Sequence, residues 1–395
     1  MEPNPATRLA RDQANRRPLV VVTEHLADEA AEWLAERFEV VFCGVHDDRF
    51  GELAADAEAL VVRTYTKVDA ALLSHLPRLK VVGRAGVGID NIDVDACKAR
   101  GVQVVSTPDA NTQAVVEYVL CLMCDVLRPR LFLEDAVEKE EWDQIRQDVV
   151  GLWQMNELVL GILGLGRIGK RIAEVARAIG FTVIYHDIEE IPADRRFGAE
   201  PVTLTRLFTE SDLITIHIDG RPSNRGFVSR ELIESMRPDA NLINTARGNV
   251  IDTKALADWL RANPAAAAML DVHEPEPFGG DYPLIDVPNA YLAPHLASRT
   301  MTAMDNMSWV VKDVAAVLNG RAPRRDPSRP SSCCPSRSSC GSRDAVRGTR
   351  SGHRSAGSRC RMARVRGHRA SPRRQGLRAA IRRAPSCRSH CRARC

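Results

Sequence analysis

The sequence predicts an α/β protein with two doubly wound parallel-sheet domains, followed by a tail that has no core of its own. Three observations lead there. Short β-branched runs recur between Ala- and Leu-rich stretches, a glycine-spaced turn sits near the middle of the chain, and the composition changes abruptly after residue 320. A length of 395 residues exceeds what one hydrophobic core usually serves, which agrees with two domains.

The first series of strands is expected at "LVVVT" (19–23), "EVVFC" (39–43), "ALVVR" (59–63), "LKVVG" (79–83) and "VQVVS" (102–106). Polar, helix-forming stretches separate them, and that alternation is the mark of parallel βα units. Next, "NTQAVVEYVLCLMCDVLRPRL" carries apolar residues at 115, 116, 119, 120, 122, 123, 126 and 127, a helical period, with Asn111 or Thr112 available as N-cap. A second series starts at Leu158, with strands expected at 158–163, 182–186, 212–217, 241–245, 267–272 and 290–293. The final periodic stretch, "MTAMDNMSWVVKDVAAVLNG", reads as one helix ending at Gly320.

Residues 321–395 hold 22 arginines, no lysine and two acids, Asp326 and Asp344. That local balance of +20, set against a total of +4, leaves residues 1–320 at −16. The basic average therefore comes from the tail, and the folded body gives no sign of binding nucleic acid. With few large apolar residues the tail cannot offset the entropy of ordering, so it is expected to be disordered, as a solvated appendage or an out-of-frame translation. No regulatory domain is expected after residue 320.

The body holds four cysteines, Cys43, Cys97, Cys121 and Cys124, without a disulfide-like framework, which fits a cytoplasmic protein. Cys121 and Cys124 form CxxC, but inside an expected helix with no second ligand pair. They read as core packing, and no metal site is expected. The N-terminus lacks a signal-like apolar region, and the longest apolar stretch carries Glu117 and Asp125, so no membrane span is expected.

The stretch "LVLGILGLGRIGKRIAEVARAIGFTVIYHD" (158–187) carries the first chemistry. Gly164 allows a tight turn, Gly166 lets the backbone approach a pyrophosphate, and Gly169 lets the helix pack on the strand. Free N–H groups opening that helix then meet the phosphates. Asp187, eighteen residues after the third glycine, would accept hydrogen bonds from a ribose diol. Glu189 and Glu190 follow it with no cation to receive a 2'-phosphate, which favours NAD over NADP.

Further on, reactive residues fall where parallel strands would end: Arg247 in "INTARGNVID", Asp271 and Glu276 in "LDVHEPEP", and His295 in "LAPHLAS". Ligands in such sheets bind outside the carboxyl ends of the strands, so these residues would converge on one crevice. An Arg, an acid and a His beside a dinucleotide suit hydride transfer at a carbonyl.

Taken together, "RAGVGIDNID", "TPDANTQAVVE", "GLGRIG", "LINTARGNVID", "LDVHEPEP" and "PHLAS", in that order over roughly residues 19–320, resemble the NAD-dependent D-2-hydroxyacid dehydrogenase family. The resemblance implies a Rossmann NAD-binding domain (112–295) inserted into a flavodoxin-like substrate domain (18–111 and 296–320), which accounts for the central position of the glycine turn. It also implies that His295 exchanges the proton, with Glu276 beside it favouring the imidazolium, and that Arg247 holds the substrate carboxylate and polarises the carbonyl. Backbone N–H groups near Val87 and Gly88 would clamp that carboxylate. Cofactor contacts are implied for Gly164, Gly166, Arg167, Ile168, Gly169, Asp187, Thr245, Ala246 and Asp271, the last holding the nicotinamide carboxamide.

"VVRTYTKV" resembles the segment by which phosphoglycerate dehydrogenases of the family meet the substrate phosphate, with Arg63 and Thr64 as contacts and Lys67 as a third charge. Serine biosynthesis is the implied setting, and a hydroxypyruvate or glyoxylate reductase is the alternative. An NAD-sensing, corepressor-like binding protein is the alternative of another class. Glu276 argues against a formate dehydrogenase, whose branch carries an amide there. A homodimer through the cofactor domain is also implied, with "EDAVEKEEWDQIRQ" as an arm. Departures from the family pattern are Asp219, Gly220 and Arg221 on the adenine side, and His273 and Tyr65, which are expected to narrow the pocket.

Overall fold

The computed structural model describes residues 16–128 and 130–324. The expectations for residues 325–395 lie outside the described residues.

Strands β1 (Leu19–Val22), β2 (Glu39–Phe42), β3 (Ala57–Val62), β4 (Val81–Arg84) and β5 (Gln103–Ser106) form one parallel sheet in the order β2-β1-β3-β4-β5. All four residues of β1 are buried. An unbroken apolar run of this kind is what a parallel strand covered on both faces requires. Helices α1 (Asp28–Ala35), α2 (Phe50–Ala54), α3 (Ala70–Ser74) and α4 (Val94–Ala99) follow successive strands. One face of the sheet packs Leu60, Val62 and Val82 against Phe50, Leu73 and Cys97. The other packs Val20, Val22 and Val61 against Ala30 and Leu34 of α1 and against Val310, Val311 and Val314, from the end of the described chain. A Cβ at Gly83 would overlap Val314, so glycine is what lets that late helix lie on β4.

The second sheet contains β6 (Val159–Leu163), β7 (Thr182–His186), β8 (Glu200–Pro201), β9 (Leu213–Ile216), β10 (Asn241–Asn244), β11 (Ala267–Leu270) and β12 (Ala290–Leu292). It is parallel throughout, in the order β12-β11-β10-β9-β6-β7-β8. The order reverses between β6 and β9, and a crevice at such a switch point is where doubly wound sheets bind ligands. Helix α5 (Thr112–Leu127) lays Val115, Val116, Val119 and Met123 on one face, beside Ile172 and Ala176 of helix α7 (Arg167–Ile179). On the other face, Leu207 and Phe208 of α8 (Leu204–Glu210), Ile233 of α9 (Arg230–Glu234) and Leu256 of α10 (Thr253–Ala262) close the core. Fully burying one such Leu, Ile or Phe contributes about 1.5–3 kcal/mol. Helix α6 (Lys139–Asp148) buries none of its residues.

The terminal periodic stretch departs from its expectation by forming two helices, α11 (Met301–Ser308) and α12 (Val311–Leu318). At the break, Ser308 accepts from the Ala27 amide (3.0 Å) and donates to the Met304 carbonyl (2.9 Å). Trp309 meets Trp33 edge-on at 6.3 Å, so tertiary contacts redirect the chain onto the first sheet. At the start of α5, Asn111 occupies the N-cap position but makes no side-chain cap bond, and its Oδ1 has no partner. Cys121 is exposed and Cys124 half-buried, so the pair does not form core packing as expected. Among the described residues no helix is long and apolar enough to cross a membrane, and no metal-binding group of side chains occurs.

Candidate active site

The residues singled out in the sequence gather at the carboxyl ends of β3 and β4 in the first sheet and of β6, β7, β10, β11 and β12 in the second. After β10, Asn244 shapes the chain: its Oδ1 accepts from the Ala246 amide (3.0 Å) and its Nδ2 donates to the Arg247 carbonyl (2.9 Å). This turn presents Arg247, whose Nε donates to Asp90 Oδ2 at 2.7 Å and whose Nη1 donates to the Ala246 carbonyl at 2.6 Å. Its Nη2 lies against Gly88, where any Cβ would overlap it. Val87 and Gly88 thus share a loop with the partner of Arg247.

After β11 and β12 a second group forms. His295 Nδ1 and Glu276 Oε2 are 2.8 Å apart, and Glu276 Oε1 accepts from the His273 amide at 2.7 Å. Burial raises the Glu276 pKa, but the bonds from His295 and the His273 amide outweigh it and hold the carboxyl below its ordinary range. His295 has φ 54°, a left-handed conformation that a non-glycine residue adopts only when its surroundings enforce it. Asp271 enforces it: its carbonyl accepts from the His295 amide (2.9 Å), and its two carboxylate oxygens accept from Leu296 (2.7 Å) and Ala297 (2.8 Å). Asp271 is fully buried, and that burial, against the two amide bonds, leaves its pKa raised. Gly248 joins the two groups, because a Cβ there would overlap the backbone of His273.

His273 is not a pocket wall as expected. Its ring is buried edge-on against the stacked pair Phe278 and Tyr282, with Nε2 2.8 Å from the Ala293 carbonyl and Nδ1 3.2 Å from the Tyr282 hydroxyl. A carbonyl accepts only, so the ring carries its proton on Nε2 and accepts from the tyrosine, a tautomer assigned from the network. Tyr65, by contrast, is 79% exposed.

Two residues that sequence reasoning missed dominate the first-sheet side. Glu24 accepts from the backbone amides of Arg63, Thr64, Tyr65 and Thr66, at 3.0–3.2 Å. Burial raises its pKa, yet these amides together hold it lowered. The Arg63 amide is thereby used internally, while its Nη1 reaches the His25 carbonyl at 3.4 Å, and Thr64 stays exposed. Asn91 ties this loop to the Gly88 loop by donating to the Arg63 and Thr66 carbonyls (3.0 and 2.7 Å). The other missed residue is Arg84, at the end of β4. Its Nε is buried without a partner, and burial, followed by the charges of Arg247 and Arg63, pushes its pKa down to about 10. Gly86 makes room for it, since a Cβ there would overlap the guanidinium. Arg84 opens the motif "RAGVGIDNID", from which only the amides near Val87 and Gly88 were singled out.

On the cofactor side, Gly164 has φ 94°, and a Cβ there would fall 2.9 Å from the His217 carbonyl carbon. A Cβ at Gly169 would overlap the Gly164 carbonyl, whereas at Gly166 nothing lies within 4 Å, so the mouth of the turn is open. No side chain caps α7 at Gly166. Arg167 begins that helix and pairs with Asp109 at 3.2 Å, and Ile168 packs on the core behind it. Asp187, just after β7, accepts from the Leu165 amide (2.6 Å) within the turn and from the Glu189 amide (2.9 Å). It lines a cleft of about 340 Å³ with Ile188, Glu189, Glu190, Arg196 and Val202. Thr245 Oγ1, beside Ala246, is buried without a partner. His217 bonds Thr215 at 2.8 Å, leaves Nδ1 unpartnered, and is held neutral by desolvation, its pKa pushed down to about 3. Asp219 accepts from Arg221 Nε at 2.6 Å and from Asn224, so the unusual loop closes on itself.

Residues 120–297 match the family model described as the NAD binding domain of D-isomer specific 2-hydroxyacid dehydrogenases. A glyoxylate reductase from Aeropyrum pernix is 34% identical over 319 residues, which cover 78% of this chain and 95% of that one. The chain belongs to the D-isomer specific 2-hydroxyacid dehydrogenases. A D-3-phosphoglycerate dehydrogenase from Methanocaldococcus jannaschii is 36% identical over 306 residues, covering 76% of this chain but 57% of its own length. The crystal structure of a glyoxylate reductase from Paecilomyes thermophila superposes with a TM-score of 0.68 at 26% identity, over 79% of this chain and 98% of that one. This dehydrogenase is therefore an NAD-dependent oxidoreductase acting on CH–OH groups. Its residues fit the cofactor: an uncapped helix N-terminus behind an open glycine, an acid beside a cleft, and an orphaned buried hydroxyl at Thr245 are places for phosphate, ribose and a further polar group.

Proposed function

We propose that this dehydrogenase interconverts a D-2-hydroxy acid and its 2-oxo acid at Arg247, Glu276 and His295, and that the substrate carries a second anionic group, as 3-phosphoglycerate does. The observation that carries the second anion is Arg84. One guanidinium suffices for a substrate carboxylate, and Arg247 is that one; Arg84 lies near Arg63 and Arg247 with its Nε buried and unpartnered. The charge of Arg299 also acts on Arg63, so the crevice gathers more positive charge than Glu24 and Asp90 neutralise. A phosphate on the substrate would relieve that repulsion.

In reduction, His295 gives its Nε2 proton to the carbonyl oxygen, and in oxidation it takes the hydroxyl proton back. Glu276 engages Nδ1, which sets the ring so that Nε2 is free for the substrate. Arg247 holds the carboxylate through its Nη edge, with the amides near Val87 and Gly88 beside it, and polarises the carbonyl. Bound NAD supplies the two-electron acceptor or donor for the reacting carbon. The glycine turn with Arg167 and Ile168, Asp187, Thr245, Ala246 and Asp271 would hold it.

The same reading places the substrate domain at 18–111 and 296–320 around a cofactor domain at 112–295, and supports a cytoplasmic role in serine biosynthesis. It also includes a homodimer through the cofactor domain. The segment around α6 supports this, because Phe132 (81%), Leu152 (86%), Trp142 and Trp153 are exposed together in a stretch that buries nothing in α6 itself.

A glyoxylate or hydroxypyruvate reductase is the second reading, favoured because the chain covers 95% of the Aeropyrum relative against 57% of the Methanocaldococcus one. Full-length protein assayed with NADH or NADPH against 3-phosphohydroxypyruvate, hydroxypyruvate, glyoxylate and pyruvate decides between them. The expected result is a preference for NADH and a kcat/KM for the phosphorylated acid at least about 10-fold above the rest. Equal or better use of glyoxylate would transfer the conclusion to the second reading, and NAD binding without any turnover would indicate a binding protein of the corepressor type.

A further inference from the structure

We infer that Asp90 is a positioning residue for the reaction: it sets the orientation in which Arg247 meets the substrate carboxylate. The inference rests on the reading that Arg247 holds that carboxylate. A guanidinium on a long stem takes one orientation only when its donors are tied. Here Nε is tied to Asp90 Oδ2 at 2.7 Å and Nη1 to the Ala246 carbonyl at 2.6 Å. The edge that remains is Nη2, lying against the Gly88 backbone.

Two glycines from different loops are fitted to this pair. A Cβ at Gly88 would overlap Nη2 and fall 2.7 Å from Asp90 Oδ2. At Gly220 it would fall 2.8 Å from Arg247 Cγ and 3.0 Å from Asp90 Oδ1. A surface ion pair formed by chance does not need glycine on both sides. The partners stand 157 residues apart in sequence, one on the loop after β4 and one on the turn after β10, so the pair also ties the two sheets' loops at the crevice. Asp90 engages only Nε and, with Nη1 on the Ala246 carbonyl, leaves Nη2 to the substrate, which is the division of labour a positioning acid needs.

The test uses full-length parent, Asp90→Ala, Asp90→Asn, Gly220→Ala and Arg247→Ala, each assayed with NADH and whichever of 3-phosphohydroxypyruvate, hydroxypyruvate, glyoxylate and pyruvate the parent reduces fastest. NADH affinity by fluorescence and the melting temperature are recorded alongside. Asp90→Ala is expected to lower kcat/KM by about 10- to 100-fold, with a fall in kcat and not only a rise in KM, while NADH affinity stays within about twofold. Asp90→Asn should recover part of the loss, since its amide oxygen still accepts from Nε, and Gly220→Ala should reproduce part of it from the opposite side. The inference is overturned if Asp90→Ala stays within about twofold of the parent while Arg247→Ala loses activity. It is equally overturned if Asn recovers nothing over Ala, or if the loss tracks the melting temperature or NADH affinity. Should Arg247→Ala keep its rate, or the parent reduce no 2-oxo acid, the proposed function fails and the inference with it.

Discussion

His295 and Glu276 stand 2.8 Å apart at the ends of neighbouring strands, and the glutamate is held at both oxygens, by the imidazole at one and by the His273 amide at the other. The acid is thus fixed before substrate arrives. Its folded pKa is depressed, because the two hydrogen bonds outweigh the burial that raises it, so it stays ionised across the neutral range and keeps its negative charge beside Nδ1. Glu276→Gln keeps the shape and removes the charge. The expected outcome is a fall in kcat for reduction of about 10- to 100-fold, with NADH affinity within about twofold of the parent. Steady-state kinetics and NADH binding by fluorescence check it, and a kcat within about twofold of the parent would count against the assigned role.

Glu24 makes a prediction about stability. Four backbone amides converge on it, and its pKa too is depressed against the effect of burial. An acid with a depressed folded pKa contributes stability that is present above its unfolded pKa, near 4.5, and is lost as pH falls through the lower folded value. Glu24→Ala should cost about 2–3 kcal/mol near neutral pH, because it strands partly buried amides. The deficit relative to the parent should shrink in acid. Denaturant titrations of both proteins at neutral pH and at pH 3 measure this, and a deficit independent of pH would refute it.

These two acids also mark where sequence reading succeeded and failed. Glu276 was legible because it lies in a short motif at a strand end, with its partner in a second such motif. Glu24 was not, because its partners lie 39–42 residues away and nothing local announces them. The strands with β-branched runs were read within a residue or two, whereas β8 is two residues including a proline and has no run to read. The periodicity from 301 to 320 was genuine, but the break at Trp309 comes from packing on Trp33, which the period does not encode. Arg84 was passed over because burial of an arginine is a tertiary fact.

Cofactor choice gives a third prediction. Asp187 already accepts from Leu165 and Glu189, and with Glu189 and Glu190 it makes the cleft beside the glycine turn acidic. A 2'-phosphate placed there would meet three carboxylates against Arg196, whose Nε is already tied to the Ile191 carbonyl at 2.7 Å. Asp187→Ala should raise the KM for NADH by about 10-fold and narrow the preference for NADH over NADPH by at least that factor. Steady-state kinetics with both cofactors test it. An unchanged ratio would mean that the discrimination lies elsewhere, with Glu189 and Glu190 the next acids to replace.

Asp271 permits a sharper test, because two roles for it predict different results. Its carboxylate accepts from the Leu296 and Ala297 amides, its carbonyl accepts from His295, and His295 sits at φ 54°. A non-glycine residue in the left-handed region costs about 1–3 kcal/mol, which the turn must recover from these bonds. Asp271→Asn leaves one oxygen to accept and turns an NH₂ group toward the other amide, so two donors face each other in a buried place. If Asp271 braces the turn, the variant should lose about 2–3 kcal/mol of stability, and kcat should fall at least about 10-fold as His295 drifts from the position that Glu276 and the substrate require. If it served only to hold the nicotinamide carboxamide, the melting temperature would stay at the parent's value and the KM for NADH alone would rise. Thermal unfolding without cofactor, followed by steady-state kinetics on the same preparation, separates the two, and the bracing role predicts that stability and kcat fall together.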